Sequence, residues 1–180
     1  MTEENPIKPN AEGSNSLDNQ GRLAGIDFGT VRIGIATCDP SQTWVTPLET
    51  YTRRGEKLDQ AYFLKLSQDE DLCGWVVGLP IHCDGKESEK SQEVRKFCKW
   101  LHALSGLPYV LYDERFTTRE ARQLLQNAPL SGKQKKKRLD GLAAHLILTH
   151  YLDNERAKRE YEARSGARAS QNDALDDQGE

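Results

Sequence analysis

Cysteine is scarce and scattered in this chain. Cys38, Cys73, Cys83 and Cys98 form no CxxC pair and have no histidine at zinc-ligand spacing, which argues against a zinc site or a disulfide framework and for reduced thiols. No apolar run approaches the roughly 18 residues of a membrane span. The start, MTEENPIKPNAEGSNSLDNQ, has neither the basic region nor the apolar region of a secretory leader. There is no internal repeat. These absences predict a soluble cytoplasmic protein with no membrane partner.

The 180 residues suit one domain with tails. The mean hydropathy of -0.76 is low, but the apolar residues gather in the middle of the chain, so a sizeable core is available. The formal net charge of -3 hides an uneven distribution. Residues 1–21 hold four acids and one base, and residues 171–180 hold four acids and no base, leaving 20 acids and 24 bases between them. A modestly basic body between acidic tails is compatible with a polyanionic partner. The expected organisation is a disordered acidic tail over 1–21, a folded domain over 22–153, and a charged helical extension with an acidic disordered tail over 154–180.

Residues 22–28 and 31–38 are short apolar runs separated by Gly29-Thr30, which predicts an antiparallel hairpin. WVTPLETY predicts a third strand, with Pro47 favouring an edge or an end. Leu58, Tyr62 and Leu66 have helical spacing between Gly55 and Gln68, and the apolar GWVVGLP after them predicts a buried strand. Ser88 can cap a second helix that stops at Gly106 and Pro108, and YVLYDER predicts the next strand. TTREARQLLQNA predicts a third helix, SGKQKKKR a basic loop, and the stripe Leu139, Leu142, Ala143, Leu146, Ile147, Tyr151 a last, core-facing helix. A β-meander followed by crossover units implies an α/β fold, a mixed sheet with helices on its faces.

Three acidic positions fall where such a sheet would gather them: Asp27 near the end of the first strand, Asp113-Glu114 at the end of the last, and Asp140 at the start of the last helix. Clustered carboxylates repel unless a cation neutralises them, and a site without Cys or His selects a hard, oxygen-seeking ion, magnesium or manganese. Two such ions about 4 Å apart can activate water and stabilise the leaving oxygen of a phosphodiester. Each acid also has a plainer use. Asp27 could accept N–H bonds from the Gly29-Thr30 turn, and Asp140 could serve as a first-turn acid on the helix dipole.

The blocks GIDFGTVRIGIATCDP, VVGLPIHCDG, YDERFTTREARQLL and KKKRLDGLAAHLILTHYLD, in that order, resemble the YqgF family of pre-16S ribosomal RNA nucleases, relatives of bacterial Holliday-junction resolvases in the ribonuclease H-like superfamily. The resemblance runs from about Arg22 to Asp153. It implies a ribonuclease H-like five-stranded mixed sheet and a metal-dependent endonuclease of structured nucleic acid. Processing of the 5′ end of pre-16S rRNA is the activity it favours, with DNA junction resolution as the alternative, and the protein would act as a monomer or homodimer. It also implies that Asp27, Glu114 and Asp140 hold Mg2+ or Mn2+, with Asp113 the rival of Glu114, because strand alternation lets only one of the pair reach the metals.

Groups suited to phosphate surround these acids: the forked donors of Arg32 and Arg115, the hydroxyls of Thr30, Thr117 and Thr118, and the basic run that includes Lys135, Lys136 and Lys137. Where many relatives carry Asn, this chain has His82, which reads as a loop residue. His145 reads as a helix-surface residue, Trp44, Trp75 and Trp100 as core or rim, and no spaced aromatic platform for bases is visible. A competing class is nucleotide binding, since DFGT also looks like the phosphate loop of the actin and sugar-kinase superfamily. Those proteins enclose ATP between two such domains, and this chain has length for one. A nuclease-like module that binds without cutting is the other rival.

Overall fold

The computed structural model describes residues 17–80, 88–113 and 132–176, with side chains given for all of these except 132–140 and 166–176. In chain order the elements are β1 (Arg22–Phe28), β2 (Arg32–Cys38), β3 (Val45–Thr52), α1 (Glu56–Asp69), β4 (Leu72–Leu79), α2 (Glu89–Ser105), β5 (Tyr109–Asp113) and α3 (Gly132–Asp176). The five strands form one sheet in the order β3-β2-β1-β4-β5. β1, β2 and β3 are an antiparallel meander, and β4 and β5 add parallel to β1. This is the mixed topology of a ribonuclease H-like fold, as the sequence predicts.

Local chemistry explains the boundaries. The β1–β2 connection needs glycine at 29, where a Cβ would stand 2.4 Å from the Arg32 carbonyl oxygen. Pro47, which cannot donate to a ladder, lies in the edge strand β3 beside a register shift between Ile35 and Ala36. Ser88 closes a capping box with Ser91 at the start of α2, and Gly106 ends that helix in the left-handed conformation, φ 72°.

The sheet is covered on both faces. One face packs Ile26, Phe28, Ile33, Ile35, Trp75 and Val77 against Phe63 of α1 and Phe97 and Leu101 of α2. The other packs Leu23, Val76 and Val110 against Ile147, Leu148 and Tyr151 of α3. Residues before β1 are docked as well: the Leu17 N–H donates to the Tyr151 hydroxyl at 3.0 Å, and Gln42 Nε2 donates to the Asp18 and Gly21 carbonyls. The packed part of the chain therefore starts ahead of Arg22.

One expectation is overturned. Residues 132–138, read as a basic loop, belong to α3, which starts at Gly132 rather than near Leu139. Charge suggested a loop, yet Lys, Gln and Arg are good helix formers and no proline lies between Gly132 and Asp153. Asp140 consequently lies more than two turns inside α3, so the reading as a first-turn acid does not apply. The third predicted helix, over 117–128, lies outside the described residues.

Candidate functional site

Asp27 is the residue of β1 before last, and its register neighbours define the site. It pairs with Gly34 of β2, which pairs in turn with Thr50 of β3. The parallel register that matches Ile26 with Val77 brings Gly78 beside Asp27, and Gly78 pairs with Tyr112 of β5. Residues in register share a face. Phe28, Ile33 and Leu79 lie on the α1/α2 face, so Asp27, the next residue along the pleat from Phe28, stands on the α3 face.

Glycines surround Asp27 on that face. Gly25 precedes it by two residues, and Gly34 and Gly78 take the adjacent strand positions. No side chain from these three positions covers the carboxylate, which is half-buried. Gly25 has a second consequence, because a Cβ there would stand 2.7 Å from both the Ala144 carbonyl oxygen and Leu148 Cβ. α3 rests directly on the β1 backbone at that point. One turn earlier, the Cβ position of Gly141 is 3.8 Å from Thr50 Oγ1, so the turn of α3 carrying Asp140 and Gly141 lies over the row that contains Asp27.

The other acids fall differently. Asp113 ends β5 in register with Leu79, and therefore shares the α1/α2 face, away from Asp27. Glu114 lies outside the described residues, as do Arg115, Thr117, Thr118 and His82. Among the described residues no group of three or more His, Cys, Asp or Glu is arranged to hold a metal. Asp27, flanked in register by Gly34 and Gly78, is an oxygen donor of the kind a small hard cation takes.

Arg32 belongs to the Asp27 face, two residues before Gly34 along β2. Thr30 is exposed in the turn and lines a cavity on the opposite, α1/α2 side. Lys135, Lys136 and Lys137 are in the first turns of α3. His145 is not a plain surface residue: it is half-buried, its Nδ1 is without a hydrogen-bond partner among the described residues, and burial pushes its pKa down.

Sequence reasoning missed two features. Trp44 is exposed rather than core or rim, whereas Trp75 is fully buried. Phe97 and Trp100, three residues apart on α2, meet the distant Phe28 of β1 in one aromatic cluster. Sequence spacing could not bring in Phe28, which is on a strand.

A five-stranded mixed sheet flanked by helices, with Asp27 near the end of its central strand, defines the class: an α/β protein of the ribonuclease H-like fold. The comparisons agree. The RuvX family, described as Holliday junction resolvase, matches residues 21–154. A protein of Rhodopirellula baltica named "Putative pre-16S rRNA nuclease" is 43% identical over 157 residues, 87% of this chain and 91% of that one. A protein of Bradyrhizobium with the same name is 36% identical over 148 residues, 82% of this chain and 92% of that one. Among solved structures, Thermus thermophilus RuvC in complex with a Holliday junction substrate aligns with a TM-score of 0.48 at 15% identity, over 76% of this chain and 96% of that one. The chain belongs to the RuvX family, and so to the nucleases, hydrolases acting on ester bonds. Among the described residues no helix is long and apolar enough to cross a membrane.

Proposed function

We propose that this chain is a divalent-metal-dependent endonuclease of structured nucleic acid whose principal substrate is precursor 16S ribosomal RNA, cut at its 5′ end. The observation that carries the proposal is the position of Asp27, cleared by Gly34 and Gly78 and overlain by the turn of α3 that contains Asp140. The names of the relatives support the RNA substrate.

In this reading Asp27, Glu114 and Asp140 hold Mg2+ or Mn2+, which supplies activation of water and neutralisation of the phosphodiester charge. The placement of Asp113 on the Leu79 face supports Glu114 over it as the third acid. Arg32, on the Asp27 face, offers forked donors to a phosphate oxygen, and Arg115 and Thr117 extend the phosphate contacts, whereas Thr30 opens toward the opposite side of the turn. Lys135, Lys136 and Lys137 come within two turns of Asp140 along α3 and supply the basic charge that draws the backbone in. In this reading the protein works in the cytoplasm, as a monomer or homodimer.

The family description favours a second reading, resolution of four-way DNA junctions, for which a two-fold homodimer would place two sites on two strands. One experiment separates the readings. Labelled precursor rRNA, unstructured RNA and a four-way DNA junction are incubated with magnesium, manganese or calcium and with wild type, Asp27→Asn or Glu114→Gln. Cutting of the precursor with magnesium or manganese, lost in both variants, is the expected result. Cutting confined to the junction selects the resolvase, and intact substrates under every metal with binding retained select a non-cleaving module.

A further inference from the structure

On the face of the sheet opposite Asp27 lies a cavity of about 370 Å3 at the end of β1. Its floor is aromatic. Phe28 and Phe97 have ring centroids 4.6 Å apart, and Phe97 and Trp100 are stacked at 5.5 Å. Phe28 and Phe97 are buried, whereas Trp100 is half-buried and carries the surface an incoming ring would meet.

We infer that this cavity receives one unpaired base of the nucleic-acid substrate, stacked on the accessible part of Trp100, which Phe97 backs. The inference rests on the nucleic-acid reading above. Three observations carry it. The first is charge: Arg53 and Lys96 line the cavity together with Glu56 and Glu93, so donors and acceptors are balanced around an apolar floor. A phosphate group or an acidic peptide would face two carboxylates, whereas a neutral heterocycle with donors and acceptors on its edge suits both signs.

The second observation is size. The cavity stands near the lower limit of the roughly 300–1,000 Å3 of ordinary ligand pockets, which suits a single base better than a longer ligand. The third is position and preorganisation. Asp27 and Phe28 are consecutive on β1 with side chains on opposite faces, and Thr30 of the adjoining turn reaches the cavity. A strand crossing the β1–β2 turn therefore meets the catalytic face and the cavity within neighbouring nucleotides. Arg53 is already fixed there, its Nε donating to Asp59 Oδ2 at 3.0 Å and its Cζ 5.7 Å from the Phe28 centroid.

The test uses the full chain, chelator to prevent cutting, and single-stranded oligonucleotides carrying 2-aminopurine at successive positions. Wild type is expected to quench 2-aminopurine at one position, and an abasic residue at that position should weaken binding roughly tenfold, the scale of one base–aromatic stack. Trp100→Leu should lose the quenching and bind single strands about tenfold more weakly without a change toward paired duplex, and Trp100→Phe should restore both. The abasic scan uses wild type alone and keeps the proposal testable if Trp100→Leu fails to fold. Tight binding with no quenched position, or equal affinity for abasic and intact strands, overturns the base pocket and leaves the nuclease reading standing. Failure of wild type to bind any nucleic acid overturns both.

Discussion

Gly25→Ala tests whether α3 is seated on β1 as closely as the structure requires. In a strand interior, alanine would ordinarily be more stable than glycine by about 0.5–1 kcal/mol, because glycine loses more backbone freedom on folding. Here the new Cβ would stand 2.7 Å from Leu148 Cβ and 2.7 Å from the Ala144 carbonyl oxygen. Carbon atoms pack at about 3.5–4.0 Å, so the helix must retreat by roughly 1 Å, and a backbone carbonyl cannot rotate out of the way as a side-chain end can. Overpacking of this kind costs about 1–3 kcal/mol, and because a backbone carbonyl is among the clashing atoms the upper part of that range, about 2–3 kcal/mol, applies; the net change is a destabilisation of about 1–2 kcal/mol. In urea, with a slope of about 2 kcal/mol/M, the midpoint should fall by about 0.5–1 M. The same retreat lifts the Asp140 turn from the Asp27 row, and a 1 Å misplacement can cost about 10²-fold in rate. Gly74→Ala is the control: its new Cβ meets only the flexible ends of Leu17 and Leu23 side chains, at 3.1–3.2 Å, and should change stability by no more than about 0.5 kcal/mol. Circular dichroism and cleavage of labelled precursor read the two effects. A Gly25→Ala protein as stable and as active as wild type would refute the close seating of α3 and the use of Asp140 that depends on it.

Other measurements probe the remaining machinery. Asp59 is 1% exposed and accepts bonds from the Tyr51 hydroxyl at 2.8 Å, the Arg54 N–H at 2.9 Å and Arg53 Nε at 3.0 Å. Asp59→Ala strands these donors and should destabilise by about 2–4 kcal/mol in denaturant melts, below the usual ~3–5 for a broken buried pair because Arg53 retains partial access to water. Burial raises the Asp59 pKa, but the Arg54, Tyr51 and Arg53 donors outweigh it and hold the carboxyl below its ordinary range. Its stabilisation is therefore complete above the unfolded value near ~3.9 and is lost as pH falls through the folded value, an acid-limb slope that Asp59→Asn should reduce. Burial pushes the Cys98 thiol up to about 12, so alkylation at pH 8 should leave it unmodified until the protein is denatured. Rapid labelling of Cys98 in the native state would contradict its place in the α2 core.

The site joins two kinds of information. Asp27 and its strand were legible because two short apolar runs broken at Gly29-Thr30 mark the hairpin. The basic run 133–138 was misread because charge patterning cannot separate an exposed loop from an exposed helical turn when every residue in it is a good helix former. The aromatic stack of Phe28, Phe97 and Trp100 was invisible for a different reason: its members come from β1 and α2, and only the packing of that helix on the sheet brings them together.

The sequence by itself determined the five strands, the helices α1 and α2, the mixed meander-plus-crossover topology and the carboxylate at the end of the first strand, because periodicity, turn residues and caps act over a few neighbouring residues. The tertiary structure decided which faces Asp27 and Asp113 occupy, that Gly34 and Gly78 flank Asp27 in register, and that Gly25 seats α3 on β1. Those facts depend on strand register, and a shift of one residue moves every side chain to the opposite face. Register is set by the two packed faces of the whole sheet, so no single stretch of the chain contains it.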